Sequence, residues 1–199
     1  MAIAVPDPAR PGRFRWYLAG VGTGAVAMGL QVVLFPWVLV GVLHETPSRV
    51  GLAQTAVLVP SLLLILLGGA ISDNRHLGTY VRRLFLLYVL PCGVLLWAAL
   101  TARLDYPLLM LFGVCYGTIT AFVQPAREGL LPQVYAGNIQ QSVAQSTFVQ
   151  FAAQSLGIVA AGQFDRIGLA PLLLFQMAMF VIAGNLFRRA QPAHEGLQT

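Results

Sequence analysis

The sequence predicts an all-α integral membrane protein with six transmembrane helices, and three observations carry that prediction. Of 199 residues, 57% are hydrophobic and 10% charged, with a mean hydropathy of +0.74, whereas an average soluble domain carries about a quarter charged residues. The apolar residues fall into six long runs separated by short, turn-rich breaks, and the runs hold almost no ionisable side chain. A water-soluble globule is excluded. The same hydrophobicity excludes a disordered chain, and two cysteines inside apolar runs, Cys92 and Cys115, exclude a disulfide scaffold.

A helix crossing roughly 30 Å of hydrocarbon needs about 20 apolar residues, because each backbone amide must find its partner within the segment. The six runs are Tyr17 to Leu43, Val50 to Ile71, Leu84 to Thr101, Tyr106 to Val123, Ser142 to Ala161 and Leu169 to Phe187. The first is too long for the apolar region of a secretory signal, and no small-residue cleavage site follows it. It is read as a membrane helix. Breaks such as His44-Glu45-Thr46-Pro47-Ser48-Arg49 and Arg103-Leu104-Asp105 end the apolar pattern with charge and proline. The organisation is a basic amino-terminal segment over 1–16, a six-helix domain over 17–189 and a polar tail over 190–199.

Orientation follows from the arginines, which make up all twelve basic residues of a chain with formal net charge +5. Positive charge is retained on the cytoplasmic side. Arg10, Arg13, Arg15, Arg75, Arg82, Arg83, Arg127, Arg188 and Arg189 fall on one set of alternate loops, and only Arg49, Arg103 and Arg166 on the other. Both termini are therefore expected in the cytoplasm, with the chain in an inner or plasma membrane of bacterial type. The arginines form no single patch, so no nucleic-acid partner is expected.

With charges absent, neutral polar groups are the informative residues of the spans. Ser142, Ser146, Gln150 and Gln154 recur every four residues and continue into Gly157 and Ala161, a stripe on one side of a helix that is unlike a lipid-facing surface. The fourth run carries Tyr116, Thr120 and Gln124, and the first carries Gln31 between Met28 and Phe35. Tyr116 and Gln150 are expected at similar depth. One reading is that these groups only bond across helix interfaces, at about 0.6 kcal/mol each. The other is that Gln31, Phe35, Tyr116, Thr120, Gln150 and Gln154 line a solute cavity whose polar groups are uncharged, suited to an amphipathic organic molecule. Gly20 and Gly24, like Gly113 and Gly117, have the spacing that lets helices approach closely, while Pro60 and Pro91 are expected to kink their helices.

Two connecting stretches carry a family resemblance. After the second run comes Gly68-Gly69-Ala70-Ile71-Ser72-Asp73-Asn74-Arg75-His76-Leu77-Gly78, then Val81-Arg82-Arg83; after the fourth comes Gln124-Pro125-Ala126-Arg127-Glu128-Gly129-Leu130-Leu131-Pro132. The first is similar to the motif joining helices two and three of the major facilitator superfamily, with Gly69 and Asp73 matching its start and Gly78 and the arginine pair falling later. The second resembles the loop after helix four in the drug- and siderophore-exporting branch. Gly157 to Gly162 is similar to the glycine-rich antiporter stretch, without its proline. The resemblance covers Tyr17 to Arg189 and matches the amino-terminal six-helix half of a twelve-helix transporter.

That resemblance implies half of a major facilitator fold, carrying a small organic solute outward by alternating access. It implies a gate in which Asp73 meets the fifth helix of a second bundle, with Gly69, Arg75, Arg82, Arg83 and Arg127 shaping the contact. The partners implied are the lipid bilayer, the solute and a second six-helix chain, identical or different. Alternatives are a non-transporting assembly or binding subunit, or a truncated half of a larger transporter. An enzyme is not expected: His44, His76 and His194 lie in loops or the tail, no metal-ligand cluster or phosphate-cradling loop is present, and no cofactor is implied.

Overall fold

The structure, a computed structural model, describes residues 11–72, 77–135 and 137–190. Their regular structure is entirely helical: α1 (Pro11–Trp37, continued by a π-helical turn over Val38–Val42), α2 (Pro47–Ser72), α3 (Leu77–Leu87), α4 (Val89–Leu100), α5 (Tyr106–Val134), α6 (Ile139–Ala161), α7 (Phe164–Ile167) and α8 (Leu169–Ala190). Five segments are long and apolar enough to cross a bilayer: Gly12–Val42, Pro47–Ile65, Leu77–Leu100, Tyr106–Val134 and Leu169–Ala190. These mark an integral membrane protein. The sixth expected run is also helical, as α6, but its glutamines and serines leave it less apolar than the other five.

Several expected boundaries move, each for a physical reason. The basic segment before Tyr17 is not separate from the first span, because α1 already begins at Pro11 and includes Arg13 and Arg15. The third span begins at Leu77 instead of Leu84, since Leu77, Val81, Leu84 and Phe85 form one buried face. Arg82 and Arg83 are thus helical residues, Arg82 half-buried against Gly184 of α8 and Arg83 exposed. Pro91 cannot donate to the Leu87 carbonyl, and the helix is interrupted at Tyr88 between α3 and α4. Across Pro60, α2 continues unbroken.

The largest correction concerns Gln124 to Pro132, expected as a loop and found inside α5. Pro125 and Pro132 each remove one backbone bond, a loss tolerated in membrane helices. Burial of Ala126, Leu130, Leu131 and Val134 against the core holds the extension. Its start is fixed by Asp105, whose carboxylate accepts from the Leu108 amide at 3.0 Å.

Glycines set the closest helix crossings. A Cβ on Gly117 would run into the Val57 carbonyl, so α2 lies directly on α5. On the other side, Gly157 meets the Val26 carbonyl and Gly29 meets the Gln154 carbonyl, which brings α6 onto α1. Gly20 and Gly24 instead accommodate the rings of Phe187 and Phe85.

The centre is filled by a run of aromatic contacts linking α1, α3, α5 and α8. Phe35 stacks on Phe112, Phe112 on Tyr116, Tyr116 meets Tyr88, and Tyr88 stacks on Phe180 with centroids 4.6 Å apart. The run continues through Phe85 and Phe187 to Tyr17. Such pairs add about 0.5 to 1.5 kcal/mol each beyond area burial.

Successive spans run antiparallel, and the arginines separate accordingly. Arg189 lies over the Trp16 ring at 5.3 Å, and the Tyr17 hydroxyl donates to the Arg127 carbonyl, so Arg13, Arg15, Arg82, Arg83, Arg127, Arg188 and Arg189 share one end. At the other end Trp37 packs on Phe164, and the Tyr106 hydroxyl donates to the Arg49 carbonyl. Arg49 pairs there with Glu45 at 2.9 Å.

Candidate functional site

A cavity of about 360 Å³ lies between α1, α2 and α5. From α1 come Met28, Gln31, Val32 and Phe35; from α2 come Gln54, Val57 and Leu58; from α5 come Tyr116 and Thr120. The geometry is a consequence of helical spacing. Gln31 and Phe35 are four residues apart and share one face, as do Tyr116 and Thr120, while the glycine contact at Val57 draws α2 alongside. Four of the six expected lining residues therefore meet.

The polar groups of this cavity divide into those already bonded and those still free. Thr120 donates to the Tyr116 carbonyl at 2.9 Å, and its hydroxyl lies 2.9 Å from that of Tyr88. Gln31, buried to 6% exposure, accepts at Oε1 from Gln176 Nε2 at 2.9 Å. Its own amide nitrogen retains its donors. Among the described residues the Tyr116 hydroxyl and the Gln54 amide likewise have no hydrogen-bond partner. Among the described residues no formal charge lines the cavity. The chemistry it offers is hydrogen bonding within apolar walls.

Gln150 and Gln154 do not join this cavity. The side-chain oxygen of Gln150 accepts from Arg127 Nη2 at 2.8 Å, which sets it level with Arg127. Arg127 follows Tyr116 by eleven positions of one helix, or about 16 Å at 1.5 Å per residue. Tyr116 and Gln150 therefore do not share the depth expected of them: Gln150 lies nearer the arginine-rich end. Gln154 is half-buried on α6 with its carbonyl against Gly29. The stripe itself does face inward: Ser142, Ser146, Gly157 and Ala161 are buried, whereas Phe148 and Phe151 are exposed.

Two functional candidates escaped the sequence reading. Gln54 is the only amide in α2, and Gln176 is the only glutamine in α8. Each interrupts an apolar run as Gln31 does, and that signal was available. Gln176 is fully buried, donates to Gln31 and to the Ala27 carbonyl at 3.2 Å, and its own Oε1 meets no donor among the described residues.

The expected gate residues are distributed as follows. Asp73 and Arg75 lie outside the described residues. Gly69 is half-buried, and no described atom stands within 4 Å of the place its Cβ would occupy. Arg82 donates from Nε to Asn185 at 3.3 Å, and Arg83 is exposed. Arg127 is buried and held by Gln124 and Gln150. These arginines do not converge on one contact within the described chain.

Comparison with known proteins gives no relatives: no family model, no curated protein and no solved structure matches this chain. The functional reading therefore rests on the site and on the motif resemblance alone. Among the described residues no group of three or more histidine, cysteine or acidic side chains is placed to hold a metal.

Proposed function

We propose that this chain is one six-helix half of a major-facilitator-type transporter that moves a small amphipathic organic solute outward across a membrane. The observation that carries the reading is the shared cavity of Gln31, Phe35, Gln54, Tyr116 and Thr120, about 360 Å³ with unpaired donors and no formal charge. Such a lining favours a largely apolar molecule bearing a few hydrogen-bonding groups over a small ion. Gln31 and Tyr116 hold the solute, and Phe35 and Met28 form its apolar wall.

Alternating access needs a second bundle to close the passage. Halves of these transporters are parallel repeats about an axis along the membrane normal, a relation that two copies of one chain reproduce in a symmetric dimer. A different six-helix chain satisfies the same geometry. The arginine-rich end is cytoplasmic, as retention of positive charge favours. On this reading Asp73 closes that end against the partner's helix, a contact worth roughly 0.3 to 1 kcal/mol when exposed.

The experiment is efflux of a neutral amphipathic coumarin from proteoliposomes containing the purified chain. Wild type is expected to release the dye, while Gln31→Leu and Tyr116→Phe slow it and leave the fold intact. Equal rates in protein-free liposomes would reject transport. The rival reading, an assembly subunit, draws on the buried Gln31–Gln176 bond as a dry interhelical contact, and it predicts that equal-rate result.

A further inference from the structure

A second cavity, of about 230 Å³, lies at the arginine-rich end between α1, α5 and α6. Its polar wall is Tyr17, Arg127, Glu128, Ser146, Thr147 and Gln150. Arg127 is only 5% exposed. Burying a cation is costly unless an anion compensates it, yet among the described residues the sole ion pair is Arg49–Glu45, at the opposite end.

The bonds that Arg127 does make orient it without neutralising it. Both run from Nη2 to amide oxygens, at 2.8 Å to Gln150 and 3.4 Å to Gln124. Among the described residues the N–H groups of Nε and Nη1 have no acceptor. Glu128 is exposed, and its Oε1 accepts from Gln124 Nε2 at 2.6 Å. It is engaged there and forms no ion pair with Arg127. The Tyr17 hydroxyl is spent on the Arg127 carbonyl at 3.2 Å. What is left is a fixed guanidinium fork beside an open volume, a geometry that matches an oxyanion bidentately.

The rest of the rim says which oxyanion. Ile139 and Val143 border the cavity and are 58% and 45% exposed on the outer surface of α6. A cationic pocket at the end of a membrane helix, continuous with an apolar face, suits a headgroup above its acyl chains. We propose that Arg127 forms an oxyanion site occupied by the phosphodiester of an anionic phospholipid, whose chains lie along Ile139 and Val143. The site needs only that the chain resides in a bilayer and does not depend on the transport reading. A free phosphate would supply the same chemistry from solution.

The test is lipid retention by the purified full chain in detergent, read by intact-complex mass spectrometry during titration with phosphatidylglycerol, phosphatidylcholine or inorganic phosphate. Wild type is expected to prefer phosphatidylglycerol over phosphatidylcholine, and Arg127→Gln to lose about tenfold in affinity, as a charge-assisted bidentate contact implies. Thr147→Val, at an exposed position that the fold does not require, is expected to lose about twofold to threefold. Arg189→Gln, at the same end, should change nothing. No headgroup preference in wild type, or an equal loss in Arg189→Gln, would overturn the site. Phosphate that binds through Arg127 while phosphatidylglycerol does not would overturn the lipid assignment.

Discussion

Gln176 donates a hydrogen bond of 2.9 Å to Gln31 across 145 positions of sequence, joining α8 to the lining of the cavity. The bond fixes which end of the Gln31 amide meets the cavity. With Oε1 occupied by Gln176, the nitrogen is the group left to donate. A solute with a carbonyl or ether oxygen is therefore favoured over one that offers only donors.

Replacing Gln176 by leucine should cost little stability. It removes two interhelical bonds worth about 0.6 kcal/mol each and also removes a stranded acceptor that costs about 1 to 3 kcal/mol. Unfolding in mixed micelles is expected to change by less than about 1 kcal/mol, with solute preference altered instead. A loss beyond about 3 kcal/mol would mean that the pair is a structural clamp.

Gly117 and Gly69 make a contrasting pair. Gly117→Ala sets a methyl against the Val57 carbonyl and forces α2 away from α5, at about 1 to 3 kcal/mol. Gly69→Ala meets no described atom and gains up to about 1 kcal/mol of helix propensity. Any transport defect in Gly69→Ala would then report on gating rather than folding. Chemical unfolding of both variants checks the difference.

The aromatic centre predicts a graded response at Tyr88. Tyr88→Phe keeps the ring contacts with Phe85, Tyr116 and Phe180 and loses the hydroxyl beside Thr120, about 0.5 to 1.5 kcal/mol. Tyr88→Ala empties a fully buried site, at about 3 to 5 kcal/mol. Comparable losses for the two variants would show that the hydroxyl, not the stack, governs this position.

Much of this arrangement is legible in the sequence because helical spacing and hydropathy act locally. The faces of Gln31 with Phe35 and of Tyr116 with Thr120 follow from four-residue spacing alone, and the structure brings both to one cavity. What spacing cannot give is the register between helices. Gln150 lies on the inward stripe as expected, but the close approaches at Gly29 and Gly157 set α6 at a height where it meets Arg127 instead of Tyr116. The helical reading of Gln124 to Pro132 depends on tertiary burial of Leu130 and Val134, which outweighs two prolines that locally signal a turn. Gln54 and Gln176 are readable as the single glutamines of their apolar runs, but their importance rests on neighbours that are remote in sequence.

On the proposed function, the cavity between α1, α2 and α5 is wetted and takes a solute. The most direct measurement is labelling of Gln54→Cys, in a Cys92→Ala background, with a charged, membrane-impermeant maleimide. Cys115 is an internal reference, because it is exposed on an apolar groove between α4 and α5, a surface suited to lipid and not to water. The account predicts that the cysteine at position 54 reacts, that Cys115 does not, and that the coumarin slows labelling at 54. A cysteine at 54 as unreactive as Cys115, with or without the dye, would contradict it.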